Sequence, residues 1–287
     1  MLGRAIQSVL NQSYKNWELI IILDSCENDS IEIVKKFKDN RISFFSFNNL
    51  GGGEARNKGI GFAKGNYISF LDDDDEYTPQ KLQIQIEFLK KHQEYCLVST
   101  NFERVSNGKL YRKDRSGIVT IQMQLFENVL GSFSFVMVEK KKLAGLLVNK
   151  YLKSCQDWDF WVQVLALNKK NGYIIKDYLS IYDDHNALRI SNDQQARNQG
   201  YKLFVLVNKK KFSKIHKLYH RIHLENIRME SKHFKVFDCL KLMGIRLILF
   251  FKIRRFSLNE FYYIVLFPIR ENFFIRSIVK LGIKILR

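Results

Sequence analysis

Proline and glycine are both scarce in this sequence of 287 residues, which contains 2 prolines and 15 glycines. That composition excludes collagen-like chains and proline-rich low-complexity segments. The chain also lacks any run of about 18 apolar residues, the length that a membrane-spanning helix requires. Its first residues, MLGRAIQSVLNQ, lack the basic segment and uninterrupted apolar stretch of a secretory signal. Since 46% of the residues are hydrophobic, the sequence predicts a folded protein with a sizeable core.

Cysteine is also rare, and its spacing excludes the usual cysteine-dependent architectures. The four cysteines are Cys26, Cys96, Cys155 and Cys239, with no C-x-x-C pair among them. A zinc knuckle needs closer spacing, and a chain of this length does not need disulfides to stabilise its core. We therefore expect a protein of the reducing cytoplasm.

Acidic residues are outnumbered, because 47 Lys and Arg oppose 29 Asp and Glu and give a net charge of +18. Residues 201–287 hold 20 basic and 5 acidic residues, so +15 of this charge lies there and the rest of the chain is nearly neutral. Cations interspersed with aliphatic and aromatic residues, as in KLMGIRLILFFKIRRF, suit an anionic membrane surface. A small helical domain with a basic surface is the alternative. Nucleic acid is a disfavoured partner, because no nucleic-acid-binding motif accompanies the charge.

Apolar runs of strand length alternate with helical segments along the first 105 residues. This order predicts an α/β fold with a mainly parallel sheet and helices on both faces, whose ligands bind at the C-terminal ends of the strands. We place a domain boundary at residue 200 and expect residues 201–287 to be helical and membrane-associating. The predicted helices cover about residues 2–10, 31–38, 54–63 and 79–91, and the predicted strands cover 17–23, 41–47, 66–71 and 95–105.

Five consecutive acids, from Asp72 to Glu76, directly follow the third predicted strand. Their mutual repulsion would be relieved by a divalent cation, which prefers oxygen ligands. A solvated acidic turn explains the same residues without a metal. Glycines at 51–53 form a loop before a helix, but neither G-x-G-x-x-G nor G-x-x-x-x-G-K-S/T occurs. A dinucleotide oxidoreductase and a P-loop nucleotidase are therefore disfavoured.

Four segments occur in an order and spacing that resemble the family 2 glycosyltransferases. They are RAIQSVLNQSYKNWELIIILD, N-x-G-x3-ARNKGI, AKGNYISFLDDDDEY and QDWDFW. The resemblance covers about residues 1–190 and implies the GT-A fold and an inverting transfer of a sugar from a nucleotide diphosphate sugar. The expected donor is linked to uridine diphosphate, and the expected acceptor is a cell-surface glycan or glycolipid, such as lipopolysaccharide or capsule. Together with the basic region, this predicts a peripheral protein on the cytoplasmic face of the membrane.

The resemblance assigns donor binding to residues at the strand ends. Asp24, Asp72 and Asp73 are expected to bind the nucleotide and its ribose. Asp74 is expected to bind Mn²⁺ or Mg²⁺, which would stabilise the charge of the diphosphate leaving group. Arg56 has two compatible interpretations, because its guanidinium can contact the donor directly or form a salt bridge to the acidic run.

The segment QDWDFW contains Asp157, which matches the position of the family's catalytic base. An inverting transfer needs one carboxylate to accept the proton of the acceptor hydroxyl. Asp157 also suits the first turn of a helix, where the helix dipole favours a carboxylate, so both explanations stay open. His185, near the end of the resemblance, is a candidate metal ligand, although a single histidine is more often structural.

Three differences from the family pattern bear on function. The family begins with a strand that this sequence lacks, Ser25 stands where a second aspartate is usual, and Gln156 stands where glutamate is usual. We expect either that the true start lies upstream of Met1 or that this is a shortened copy without activity. The second function that we consider is accordingly a non-catalytic, membrane-associated remnant or partner subunit.

Overall fold

The computed structural model describes residues 1–24, 28–106, 109–112, 114–183 and 193–230. The chain divides into two compact units, Met1–Phe204 and Val205–Arg287. The helices are α1 (Leu2–Leu10), α2 (Asn28–Lys35), α3 (Gly52–Phe62), α4 (Lys81–Lys91), α5 (Ile121–Phe126), α6 (Lys140–Leu143), α7 (Gln156–Asn168), α8 (Gln194–Asn208) and α9 (Lys214–Glu230). The strands are β1 (Leu19–Leu23), β2 (Ile42–Ser46), β3 (Tyr67–Ser69), β4 (Asp75–Tyr77), β5 (Tyr95–Ser106), β6 (Lys109–Arg112), β7 (Gly117–Val119), β8 (Met137–Glu139) and β9 (Asn171–Asp183). A 3-10 turn, Phe133–Phe135, precedes β8.

Strand pairing divides the first unit into a two-stranded and a seven-stranded sheet. β1 and β2 pair in parallel, and β5 and β9 do so in the larger sheet. The other five pairings among the strands that the structure describes are antiparallel. The α/β class is confirmed, whereas a mainly parallel arrangement is wrong for the larger sheet. The reason is that strands such as β6, which returns beside β5, join their neighbours without the crossover helix that parallel pairing needs.

Helices cover both faces of the seven-stranded sheet, as predicted. Leu97 of β5 packs into a core that includes Trp161 of α7, whereas the next residue, Val98, packs into a second core with Leu89 of α4. Successive side chains along a strand point to opposite faces, so β5 contributes to both cores. These two cores hold α7 and α4 on opposite sides of the sheet.

The acidic run is not a single loop. β3 ends at Ser69, and the chain rejoins the sheet as β4, antiparallel to β9. Asp75 and Tyr77 are buried, while Glu76 between them is partly exposed. This alternation is that of a strand. The sequence does not predict it, because two acids followed by one tyrosine do not resemble a half-buried strand.

A cleft of about 1470 Å³, which we call the inter-sheet cleft, separates β1 from β3 within the first unit. All of β1 and all of β3 line it, and residues of α1 and α3 complete its walls. In the described part of the chain β1 pairs with β2 alone and β3 with β8 alone. Two strands therefore face the cleft with edges that no described strand covers. The apolar residues that α1 contributes are Leu2, Ala5, Ile6 and Val9.

The second unit is described for residues 205–230. His216 and His220 are buried on α9, and the ring of His220 stacks on Phe212 with a centroid separation of 4.4 Å. The Ser213 hydroxyl lies 2.6 Å from Nδ1 of His216, next to the start of the helix. None of the described helices combines the length and apolar character needed to cross a bilayer.

Several predictions concern parts of the chain that the structure does not describe. Residues 231–287, which make up most of the basic region, lie outside the described residues, as do Ser25 and the candidate metal ligand His185. The predicted membrane association of residues 201–287 therefore stays a prediction. The first unit ends at Phe204 rather than at the predicted boundary of residue 200.

Candidate functional site

Asp24 directly follows β1 and binds the loop that precedes α3. Its carboxylate accepts hydrogen bonds from the backbone N–H groups of Leu50 and Gly51, with the Gly51 nitrogen 2.8 Å from Oδ2. Gly51 has a φ of 75°, a conformation that glycine adopts without steric cost. Asp24 thus fixes the start of α3 at the wall of the inter-sheet cleft.

Close backbone packing explains the glycine at position 53. A Cβ atom there would lie 2.9 Å from the Cα atom of Lys150, which is too close for a side chain. The loop before α7 therefore packs directly against the first turn of α3. This contact brings the segment that contains Gln156 and Asp157 next to Arg56.

Arg56 joins three parts of the site. Its Nη2 lies 2.5 Å from Oδ1 of Asp72, and its Nη1 donates to Oε1 of Gln156 at 3.2 Å. The guanidinium carbon lies 4.3 Å from the centre of the Phe133 ring, a cation–π distance. The salt bridge to the acidic run, one of the two predicted roles of Arg56, is therefore present.

Asp72 is held by the 3-10 turn as well as by Arg56. Ser132 donates from its hydroxyl to Oδ2 of Asp72 at 3.3 Å, and the backbone N–H of Asp72 donates to the Ser134 hydroxyl at 3.0 Å. Neither serine is predicted from the sequence. They stand about 60 positions from Asp72, and no local pattern connects the two segments.

Two buried side chains of α4 support this turn. Lys81 Nζ and Gln85 Nε2 both donate to the backbone carbonyl of Phe135, at 3.1 and 2.9 Å. Neither residue is exposed to solvent. Burial holds the pKa of the Lys81 ammonium well below its ordinary value. Buried side chains of α4 therefore hold the 3-10 turn, and this turn holds Asp72.

The remaining acids of the run point in different directions. Asp73 is exposed in the turn, Asp74 is partly buried beside it, and Asp75 is buried in β4. Glu76 forms an ion pair with Arg4 of α1 at 3.2 Å. The described residues contain no group of three His, Cys, Asp or Glu side chains placed to hold a metal ion.

The carboxylates of the cleft nevertheless suit one kind of metal site. Asp72, Asp73 and Asp74 all line the inter-sheet cleft, and carboxylate oxygens are the ligands that Mg²⁺ and Mn²⁺ prefer. Mg²⁺ in particular is held by one or two carboxylates together with substrate phosphates and water, not by a cage of protein ligands. These residues therefore fit a cation that arrives with a diphosphate.

Asp157 lies in the first turn of α7, as predicted, and also lines the inter-sheet cleft. One carboxylate oxygen accepts from the backbone N–H of Trp158 at 2.7 Å, and the other accepts from Nδ2 of Asn128 at 3.0 Å. Burial raises the pKa of Asp157 to about 6, against the opposing effects of the Trp158 bond and the Arg56 charge. Asp157 is therefore a carboxylate whose protonation changes near pH 6.

The structure brings most of the predicted site residues to one cleft. Those lining it are Asp24, Arg56, Asp72, Asp73, Asp74 and Asp157. Their roles in donor binding, metal binding and catalysis stay predictions, as does that of His185. The cleft offers the guanidinium of Arg56, the carboxylates of the acidic run and the Asp157 carboxylate, whose pKa is raised. This arrangement suits binding of a diphosphate and removal of a proton.

Comparison with protein families gives a match over the first half of the chain. The family model described as "Glycosyl transferase family 2" matches residues 1–144. An uncharacterized glycosyltransferase of Methanocaldococcus jannaschii is 32% identical over 189 residues, which make up 63% of this chain and 65% of that protein. The putative colanic acid biosynthesis glycosyl transferase WcaA of Escherichia coli K12 is 27% identical over 253 residues, 85% of this chain and 88% of that protein.

The extent of these matches differs among relatives. The chain spans just under two thirds of the archaeal relative and 25% of an uncharacterized glycosyltransferase of Rickettsia bellii. The E. coli protein named UDP-Glc:alpha-D-GlcNAc-diphosphoundecaprenol beta-1,3-glucosyltransferase WfgD is 27% identical over 195 residues, 62% of this chain and 71% of that protein.

Solved structures share the fold. The crystal structure of Staphylococcus aureus TarS residues 1–349 in complex with UDP-GlcNAc aligns over 92% of this chain and 77% of that one, with a TM-score of 0.61 and 14% identity. At this identity the likeness establishes the GT-A type of α/β fold and nothing finer. Because the family model covers half of the sequence and the fold agrees with it, this chain belongs to glycosyl transferase family 2.

Proposed function

We propose that this protein transfers a sugar from a nucleotide diphosphate sugar to a cell-surface glycan acceptor, with inversion at the anomeric carbon. The observation that carries the proposal is the position of Asp157, a carboxylate of raised pKa in the same cleft as Arg56 and the acidic run. A general base works best when its pKa lies near the operating pH. The family and the fold agree with this chemistry.

Asp157 would accept the proton of the acceptor hydroxyl as that hydroxyl attacks the anomeric carbon. Its two oxygens are each fixed by one hydrogen bond, so the carboxylate is oriented before the acceptor binds. A single displacement of this kind breaks the bond to the diphosphate as the new glycosidic bond forms and therefore inverts the anomeric carbon. No protein nucleophile is required.

The donor would bind at the other end of the site. Asp24, Asp72 and Asp73 are proposed to hold the nucleotide and its ribose, and Asp74, with His185 as a further candidate, to hold the cation. A bound Mn²⁺ or Mg²⁺ would supply positive charge to the departing diphosphate. The Arg56 guanidinium, already in place beside Asp72, would add a second positive charge there.

The names of two relatives support a proposal for the acceptor class. The printed names of two E. coli relatives refer to colanic acid biosynthesis and to a GlcNAc-diphosphoundecaprenol acceptor. We therefore propose a lipid-linked or surface-glycan acceptor and a peripheral position on the cytoplasmic face of the membrane, where the basic region 201–287 would contact anionic lipid.

Transfer can be tested with UDP-glucose and UDP-GlcNAc as donors and a synthetic GlcNAc-diphosphate lipid as acceptor, in the presence of Mn²⁺. We expect release of UDP that depends on the acceptor, and a product whose anomeric configuration, measured by NMR, is opposite to that of the donor. Asp157→Asn should reduce transfer by about 10²-fold or more while UDP still raises the melting temperature. Retention of transfer within a few-fold would remove Asp157 from the mechanism.

A non-catalytic partner subunit is the second candidate. The observations that favour it are the open inter-sheet cleft and the residues Ser25 and Gln156 in place of the family's usual acids. Under this alternative, neither donor nor UDP would stabilise the wild-type protein at any metal concentration. A melting temperature that rises with UDP and Mn²⁺ would exclude it.

A further inference from the structure

A carboxamide lies against the candidate base. Asn128, in the loop after α5, donates from Nδ2 to Oδ2 of Asp157 at 3.0 Å. The other oxygen of Asp157 is bound by the backbone N–H of the next residue at 2.7 Å. The orientation of Oδ2 of Asp157 therefore depends on the Asn128 side chain.

The direction of the Asn128 amide is fixed by its own partners. Its Oδ1 accepts from Nε2 of Gln124 at 2.9 Å and from the backbone N–H of Gly131 at 3.2 Å. Two donors facing this atom identify it as the oxygen, so the amino group must face Asp157. If the Asn128 amide were reversed, its carbonyl oxygen would face the Asp157 carboxylate. Its amino group would face the two donors, Nε2 of Gln124 and the Gly131 N–H.

Gln124 is fixed in turn. It is fully buried on α5, and its Oε1 accepts from the backbone N–H of Leu130 at 3.1 Å. Its amino group is thereby left to bind Asn128. The bonds run in one direction, from the Leu130 amide through Gln124 and Asn128 to Asp157. A backbone group of the core thus determines which atom faces the carboxylate.

We propose that Asn128, aligned by Gln124, is a positioning residue that fixes the rotamer of Asp157 and favours its ionised form. This proposal rests on the proposed function of Asp157 as base. A hydrogen bond donated to a carboxylate favours the charged state, and burial in this cleft opposes that state. Asn128 and Gln124 together therefore keep the carboxylate available to accept a proton near neutral pH.

The direct test measures the pKa of Asp157 in the unliganded full-length protein. The probe is the ¹³C-carboxylate NMR signal of aspartate-labelled protein, assigned by its loss in Asp157→Asn. In Asn128→Leu, which keeps the size of the side chain but has no donor, we expect a pKa above the wild-type value of about 6. In Gln124→Met, which keeps the length of the side chain and adds no charge, the Gln124 donor is lost, and of the two donors that fix the amide direction only the Gly131 N–H remains. This variant should also raise the pKa.

The matched control is Gln122→Ala, an exposed position of the same helix, which should leave the pKa of Asp157 unchanged. If Asn128→Leu does not fold, Gln124→Met carries the same test. An unchanged pKa of Asp157 in the folded variant would overturn the proposal, because a residue that only supports the loop would not move that titration.

A second measurement separates this proposal from the proposed function. Donor turnover is followed as UDP release from UDP-glucose between pH 5 and 9, with the GlcNAc-diphosphate lipid as acceptor. In Asn128→Leu the acid limb of the pH profile should shift to higher pH. The rate of UDP release should therefore fall by about tenfold near pH 6 and by only a few-fold above pH 8. A raised pKa of Asp157 in a protein that releases no UDP at all would support the positioning role and count against transfer alone.

Discussion

The guanidinium of Arg56 lies 2.5 Å from Asp72 and 3.2 Å from Gln156, so one side chain connects the end of β3 to the start of α7. The planar guanidinium carries several donors in a fixed arrangement, so it can bind both partners at once. The candidate donor end of the cleft is thereby tied to the segment that holds Asp157. Coupling between donor binding and the base would pass through this contact.

Replacement of Arg56 by lysine should break this connection. We expect Arg56→Lys to lower the free energy of unfolding by about 1 kcal/mol, because one of two hydrogen bonds is lost in a partly buried site. Binding of UDP-glucose, measured by calorimetry, should weaken. Lys58→Ala on the same helix is the control, since Lys58 contacts the Phe47 ring instead. If Arg56→Lys and the wild type bind UDP-glucose equally well, the two contacts of the Arg56 guanidinium have no role in donor binding.

The raised pKa of Asp157 predicts a pH-dependent cost to stability. The folded protein binds this proton more tightly than the unfolded chain does, since the pKa is about 6 in the fold against an ordinary 3.8. Ionisation of Asp157 therefore leaves the free energy of unfolding unchanged below pH 4 and lowers it by the full amount above pH 6. Asp157→Asn should stabilise the protein by about 2 kcal/mol at pH 8 and not at pH 4, as measured by urea unfolding.

Asp39 supplies a control of opposite sign. Hydrogen bonds from Arg41 lower the pKa of Asp39 to about 2, so the ionised form stabilises the fold at all pH values above its ordinary range. Asp39→Asn should therefore destabilise the protein at pH 8. If the difference in stability between Asp157→Asn and the wild type is the same at pH 4 and at pH 8, the pKa of Asp157 is not raised.

Metal binding can be read from thermal stability. A ligand that binds the folded state raises the free energy of unfolding by RT ln(1 + [L]/Kd), and the melting temperature rises with it. We expect UDP with Mn²⁺ to raise it in the wild type, and Asp74→Ala to abolish the part that depends on Mn²⁺. Glu76→Gln is the matched control from the same acidic run, because Glu76 is bound by Arg4. No metal-dependent shift with any nucleoside diphosphate would show that the donor site does not function.

Sequence patterns predicted the α/β class, α1, α4 and the clustering of the candidate site, because helical and strand periodicities are local. Strand direction in the larger sheet and the return of the chain as β4 depend on pairing with β9, which lies about 100 residues further on. The contacts of Ser132, Asn128 and Gln124 were missed for the same reason. Their role follows from which loop lies beside which carboxylate, and no local periodicity carries that information.

The basic region should bind membranes by charge. The full chain is expected to co-sediment with anionic liposomes at low salt, weakly with neutral ones, and less at high salt, because the attraction decays over a Debye length of about 8 Å. A chain ending after Lys211 should stay in the supernatant. We place the end there because Trp158 stacks on Phe204 at 4.1 Å, so a cut at residue 200 would remove part of the first unit. Binding to neutral liposomes that resists high salt would mean that apolar side chains of the basic region insert into the bilayer.

The inter-sheet cleft predicts that one more β-strand would stabilise the first unit. It lies between the edges of β1 and β3, and α1 leads from it into β1, so an apolar strand joined ahead of Met1 would enter as the first strand of a right-handed, parallel β-α-β unit. We expect such an extension of about six Val and Ile residues, followed by a short glycine linker, to raise the melting temperature by several degrees. Hydrogen exchange at the backbone amides of β1 and β3 should slow. The control carries proline at two central positions, which removes donors from the ladder. If both extensions leave hydrogen exchange in β1 and β3 unchanged, the cleft does not accept a strand.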